Sequence, residues 1–149
     1  MNRRVVLWLS LLLSLFGLSA LAAERIELVA SAQQTASGNS ASFKVSTIKM
    51  AMVGVDVTAV TAVTDLDVYL EGSDDAGTTW YEIPCDFSLR TESDGTPATV
   101  STNQRDIASS ITATGKFVGI FKHLPADYVR LRWILAGTNF TMSASLVGK

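Results

Sequence analysis

From residue 24 onward the apolar residues of this chain recur with a period of two, and no segment there shows the 3.6-residue period of a helix. "RIELVAS" aligns Ile26, Leu28 and Ala30 on one face. "MVGVDVTAV" sets Val53, Val55 and Val57 against Gly54, Asp56 and Thr58, and "LDVYLEG" sets Leu66, Val68 and Leu70 against Asp67, Tyr69 and Glu71. "YVRLRWIL" aligns Val129, Leu131, Trp133 and Leu135; "FTMSASLVG" aligns Phe140, Met142, Ala144 and Leu146. Successive side chains of a strand point to opposite faces, so each stretch has one face for a core and one for water, as in antiparallel sheets. Segments 41–49, 79–87 and 116–124 alternate more weakly. Eight short strands separated by Gly, Ser, Asp and Asn predict an all-β chain, a single antiparallel, jelly-roll-like β-sandwich over residues 24–149.

Two connections stand apart. "QQTASGNS" (33–40) is small and polar, which leaves the first strand loosely tethered. Residues 88–115 make a 28-residue connection with few large apolar groups, broken by a short strand near 98–101. Connections of that length are either functional or disordered.

The N-terminus reads differently. Arg3 and Arg4 precede an apolar run of 14 residues, Val5 to Leu18, and Ala20, Ala22 and Ala23 follow. This is the pattern of a secretory signal peptide over residues 1–23; its rival is a retained membrane anchor, the one membrane contact the sequence suggests. Removal of residues 1–22 takes two of the 12 basic residues and none of the 14 acids, leaving a 127-residue chain of net charge −4. That size suits one domain with a core of its own, secreted, periplasmic or at the cell surface. A mildly acidic balance excludes an electrostatic footprint for nucleic acid. The single cysteine, Cys85, has no intrachain partner and is expected as a small buried side chain.

Ser73, Asp75, Gly77, Thr79 and Trp80 in "GSDDAGTTW" have the spacing of an Asp box, the hairpin motif best known from sialidases. Asp75 can accept from backbone N–H groups of the turn, Gly77 can supply a positive φ, and Trp80 can cover the hairpin base. None of these roles involves a substrate, the motif occurs once, and a chain of this size cannot build a propeller. We therefore expect a structural turn. Calcium at Asp74, Asp75 and Asp86 lacks EF-hand spacing. His123 and Cys85 are too few for zinc, and no Gly-x-Ser-x-Gly elbow or phosphate loop is present. The expectation is no enzyme, no metal and no cofactor.

Tyr69, Tyr128, Arg130 and Arg132 fall on the polar faces of two strong strands. If those strands are neighbours, the arginines pair with Asp67 and Glu71 across them. The sharper alternative is an aromatic and arginine strip that docks a protein or a sugar. "KFVGIFK" adds Phe117 and Phe121 on one face and Val118 and Ile120 on the other, a strand either covered on both sides or facing a partner.

The succession "TASGNS", "VDVTAV", "LDVYLEGSDDAGTTWYEIP", "YVRLRW" and "AGTNFTMSASLVGK" resembles small β-sandwich accessory head and tail proteins of tailed bacteriophages. The resemblance implies a non-enzymatic assembly protein whose partner is itself or another surface or virion protein. A thinner likeness, through "GSDDAGTTW" and "YVRLRW", runs to discoidin-type sugar-binding modules and makes glycan binding the alternative. One departure is the signal-like segment, which points to a related domain working outside the inner membrane. There the strand of Ile26, Leu28 and Ala30 can be donated to a neighbouring copy's sheet.

Overall fold

The computed structural model describes residues 23–92 and 99–149. The signal-like segment, apart from Ala23, and the centre of the long connection lie outside the described residues. Within them are nine strands and no helix: β1 (Glu24–Gln34), β2 (Gly38–Asn39), β3 (Phe43–Lys44), β4 (Ala51–Ser73), β5 (Tyr81–Glu82), β6 (Cys85–Glu92), β7 (Thr99–Gln104), β8 (Gly115–Phe121) and β9 (Tyr128–Gly148). The all-β expectation holds. Four of the expected short strands are fused into two long ones, because "MVGVDVTAV" runs on into "LDVYLEG" and "YVRLRWIL" into "FTMSASLVG".

Antiparallel pairing of β4 with β9 runs from Ala51↔Gly148 to Ser73↔Tyr128. Around this ribbon the order is β1-β9-β4-β8-β6-β7, with β2 and β3 on β9 and β5 on β4. Where a sandwich has two separate sheets, here every strand belongs to one hydrogen-bonded sheet. The β4–β9 ladder, which runs through both halves, is the reason.

The buried row changes parity along both long strands. Val53, Val55 and Val57 are buried in the first half of β4, but Leu66, Val68 and Leu70 in the second; β9 buries Val129, Leu131 and Trp133, then Phe140, Met142, Ala144 and Leu146. Between these rows, Thr58–Asp65 and Ile134–Asn139 contain no buried residue. β4 carries register shifts at Val57/Ala59 and Val63/Asp65, and Ala62 (φ 48°) and Gly137 (φ 141°) take left-handed backbone conformations. The centre of this stretch is a ribbon of two strands, which twists more than a wider sheet. The two halves thus turn opposite faces of the ribbon to one common core.

Residues outside the strands tie the halves together. Ile107 and Ala108 exchange backbone hydrogen bonds with Val68, and Ile111 N–H donates to Leu66 C=O. Ile107 also lies where a side chain on Gly119 of β8 would be, 3.0 Å from an ideal Cβ. The long connection is therefore largely structural: its first part is the β6–β7 hairpin, and Ile107, Ala108 and Ile111 are buried.

"QQTASGNS" is no loose tether. Trp133 Nε1 donates to Ala36 C=O (2.9 Å), Leu135 N–H donates to Ser37 Oγ (2.8 Å), and Leu131 N–H donates to Ser40 Oγ (2.9 Å). The stretch is strapped along β9, and β1 pairs with β9 of its own chain from Glu24↔Gly148 to Gln34↔Phe140. Irregularities at Glu27/Val29 and Val29/Ala32 break the simple alternation, so Leu28 and Val29 are both buried, Ile26 is half-buried and Ala30 is exposed.

A Cβ on Gly137 would meet Ala62 O at 2.4 Å and Val63 Cα at 2.7 Å, in a backbone conformation that side chains disfavour. Gly137→Ala is expected to destabilise the fold by about 2 kcal/mol or more. Urea unfolding checks this as a lowered midpoint with an unchanged m value.

Candidate functional site

Two surfaces carry the chemistry of this chain: the hairpin after β4 with the charged ladder beside it, and the solvent face of the β1-β9-β4-β8-β6-β7 sheet.

The hairpin has the mechanics its sequence implies. Ser73, fully buried, donates from Oγ to Asp75 Oδ1 (2.7 Å) and accepts from Gly77 N–H (2.9 Å). Asp75 Oδ1 also accepts from the backbone N–H groups of Thr78 (3.0 Å) and Thr79 (2.8 Å). These donors, the Thr79 amide foremost, lower the Asp75 carboxyl to about 2 from 3.8. Gly77 has φ 89° and its carbonyl accepts from Trp80 Nε1 (2.9 Å). Each named Asp-box residue uses its side chain or its glycine conformation here, and Thr79 contributes its backbone N–H as well.

Trp80 leads into the ladder. The Arg130 guanidinium carbon stands 4.2 Å from its ring centroid, a cation–π contact. Arg130 Nε donates to Glu71 Oε2 (2.7 Å), and Arg132 Nη1 lies 3.1 Å from Glu71 Oε1 and 3.5 Å from Glu82 Oε1. Arg105 closes the far end on Glu82. Charge alternates along Arg130, Glu71, Arg132, Glu82 and Arg105, each in contact with the next. Glu71 is buried, 4% exposed, and accepts from both arginines.

The cross-strand pairing expected from the sequence is therefore present at Glu71, which the register places opposite Arg130. Asp67 is different: it stands opposite Ile134 and accepts from Tyr69 Oη (3.2 Å) and Ser110 N–H (2.9 Å). Burial, followed by the neighbouring Asp67, pushes the Tyr69 phenol up to about 12. The Arg132 guanidinium also sits over Tyr69, 5.6 Å from the ring centroid. Tyr128 is half-buried opposite Ser73. Phe117 and Phe121, singled out for a possible interaction surface, are core residues, 2% and 0% exposed. β8 lies between β4 and β6, and its odd-numbered side chains point inward.

Cys85 is buried, with its thiol near the carbonyls of Asp106 (3.1 Å) and Gln104 (3.5 Å). Burial pushes the thiol up to about 11, so it stays protonated. His123 is exposed in the β8–β9 connection. Among the described residues no three His, Cys, Asp or Glu side chains are placed to hold a metal ion.

Of the solvent face of the sheet, sequence reasoning reached only the Val118 and Ile120 side of "KFVGIFK". Phe87, Ile120, Met52, Val147 and Arg25 form one row across β6, β8, β4, β9 and β1; Leu89, Val118, Gly54, Ser145 and Glu27 form the next. Met52 is 46% and Ile120 38% exposed. An open concavity of about 550 Å³ lies over the second row, lined by Gly54, Val118, Ser145, Glu27, Asp56 and Lys116 among others. A Cβ on Gly54 would have nothing within 4 Å. The signal was available in "MVGVDV" and "KFVGIFK", where apolar residues occupy both phases of the alternation.

No protein-family model and no curated protein matches this chain. Among solved structures it is similar to the SPBc2 prophage-derived protein YomS, with 10% sequence identity and a TM-score of 0.45 over 85% of this chain and 93% of that one. A likeness of that size sets neither a family nor a function.

Replacing Glu71 with alanine leaves two half-buried guanidinium groups without their shared acceptor. Glu71→Ala is expected to cost about 2–3 kcal/mol, less than a fully buried pair because Arg130 and Arg132 keep partial hydration; chemical denaturation measures it. Asp75 contributes stability above its unfolded-state value, and that contribution is lost as pH falls from 3.8 toward about 2. Asp75→Asn keeps an acceptor oxygen but cannot titrate, so its melting temperature is expected to fall less steeply than wild type across that window.

Proposed function

We propose that this protein is a secreted or surface-located, non-catalytic structural subunit that works through protein contacts, in the manner of the virion accessory proteins its sequence resembles. The observation that carries this reading is the apolar solvent face. An antiparallel sheet with one wet side normally puts polar residues there. Here Met52 and Ile120, directly opposite one another, are exposed, with Val118 and Leu89 half-buried in the next row. A contiguous apolar patch on a sheet face marks a contact site. The charged ladder supports the same reading from the other side, because its groups are engaged with one another.

The carbohydrate-binding alternative needs an aromatic platform free to stack on a sugar. Trp80 has Arg130 over its ring, and the Tyr81 hydroxyl is bonded to Asp74 and Pro125, so the assembly reading is preferred.

Size-exclusion chromatography with light scattering, on extract of the producing cells and on purified protein, tests the proposal. The wild-type chain is expected in particles larger than a monomer. Met52→Lys is expected to shift it toward the monomer, weakening association by roughly tenfold or more with an unchanged melting temperature. Identical elution of wild type and variant as monomers in both samples would overturn it.

A further inference from the structure

We infer that the occupant of the solvent face is a second copy of this chain, packed face to face about a two-fold axis that crosses β4 between Met52 and Gly54. The inference rests on the assembly reading and names its partner. An isologous contact brings each patch against itself, so its parts must be self-complementary under one rotation. Two adjacent rows of this face meet that condition.

An axis lying across the strands, midway between the two rows, keeps each strand's column and exchanges the rows. In the β4 column, Met52 of one copy then stands over Gly54 of the other, and the reverse. Met52 is a protruding, adaptable side chain, and Gly54 is an empty position with nothing within 4 Å of where its Cβ would be. In the β1 column the same rotation brings Arg25 of each copy toward Glu27 of the other; both residues are exposed, on the same face two positions apart. In the β8 column Ile120 meets Val118. Knob to hole, charge to opposite charge and apolar to apolar all follow from one operation.

Aligned sheets pack about 10 Å apart and about 30° from parallel, so columns away from the axis diverge. Arg25 and Glu27 lie two strands from β4, within reach of long side chains. The same rotation brings the outlying Lys116 and Lys122 toward each other, which confines the tight contact to the two central rows. Six strands at about 4.8 Å and seven residues at about 3.3 Å give a footprint of roughly 670 Å² per copy. Twice that is at the low end of specific interfaces, where weak association is common.

Sedimentation velocity on the full-length gene product, purified in its final form, tests this from about 1 μM to 1 mM. The wild-type chain is expected to pass from monomer to dimer and to stop there. Gly54→Val places its Cβ where nothing lies within 4 Å and suits a strand, so the fold is expected to be retained, as an unlowered urea midpoint verifies. It is expected to weaken dimerisation at least about tenfold, as is Arg25→Glu, which sets like charges together. The double reversal Arg25→Glu with Glu27→Arg is expected to restore the dimer to within about threefold, since the pairing is re-formed with its signs exchanged. A purified wild-type chain that stays monomeric overturns the inference, as does a dimer indifferent to Gly54→Val and Arg25→Glu. If the purified chain is monomeric while cell extract holds a larger complex sensitive to Met52→Lys, this inference fails and the assembly reading stands.

Discussion

The continuous antiparallel pairing of β4 with β9 is the constraint on which the rest of the molecule depends. Its ladder satisfies the backbone groups of two strands that together thread every part of the core. One half gives β8 and β1 their places, and through β8 it positions β6 and β7; the other half accepts β2, β3 and β5 as short additions. Because the middle is a narrow ribbon, it can twist far enough to turn opposite faces inward on its two sides. Bulges in β4 and the left-handed backbone at Ala62 and Gly137 accommodate that change of direction locally. Ile107, Ala108 and Ile111 then bind the halves together.

The two surfaces of the molecule differ in how their interactions are satisfied. Around β4, β5 and the end of β9 nearest the hairpin, the polar groups form a closed chain in which Glu71 serves two arginines and Asp75 serves two turn amides. Such a network fixes geometry, and Trp80 lies over it with its own N–H donating to Gly77. On the solvent face of the other half, Met52 and Ile120 find apolar neighbours but no covering layer within the described chain. The first surface is complete in itself, whereas the second lies open, and that contrast underlies the functional reading.

The strands and the hairpin were legible because their causes are local. Alternation in "LDVYLEG" and "YVRLRWIL" places Leu70 and Leu131 inward whatever the topology, and Ser73, Asp75 and Gly77 encode a turn within five residues. The pairing of Glu71 with Arg130 was accessible as a conditional, since it needs only that two strands be neighbours. Other features depended on distant partners. Ile107 and Ile111 sit in a polar stretch with no strand pattern, and only Leu66, Val68 and Gly119 give them a place. Ala30 follows the alternation on paper, but irregular pairing with β9 leaves it exposed. Residues 33–40 look like a linker because small polar residues carry no pattern; their hydroxyls and carbonyls are engaged by β9.

By itself, then, the sequence determined the all-β character, the inward rows within each strand and the Asp-box turn, because side-chain alternation and turn chemistry act over a few residues. Only the tertiary structure decided that the strands form one sheet, that Phe117 and Phe121 belong to the core, and that Met52, Gly54 and Ile120 share an open face. Those outcomes turn on register between segments more than a hundred residues apart, and register is fixed by the mutual burial of both partners.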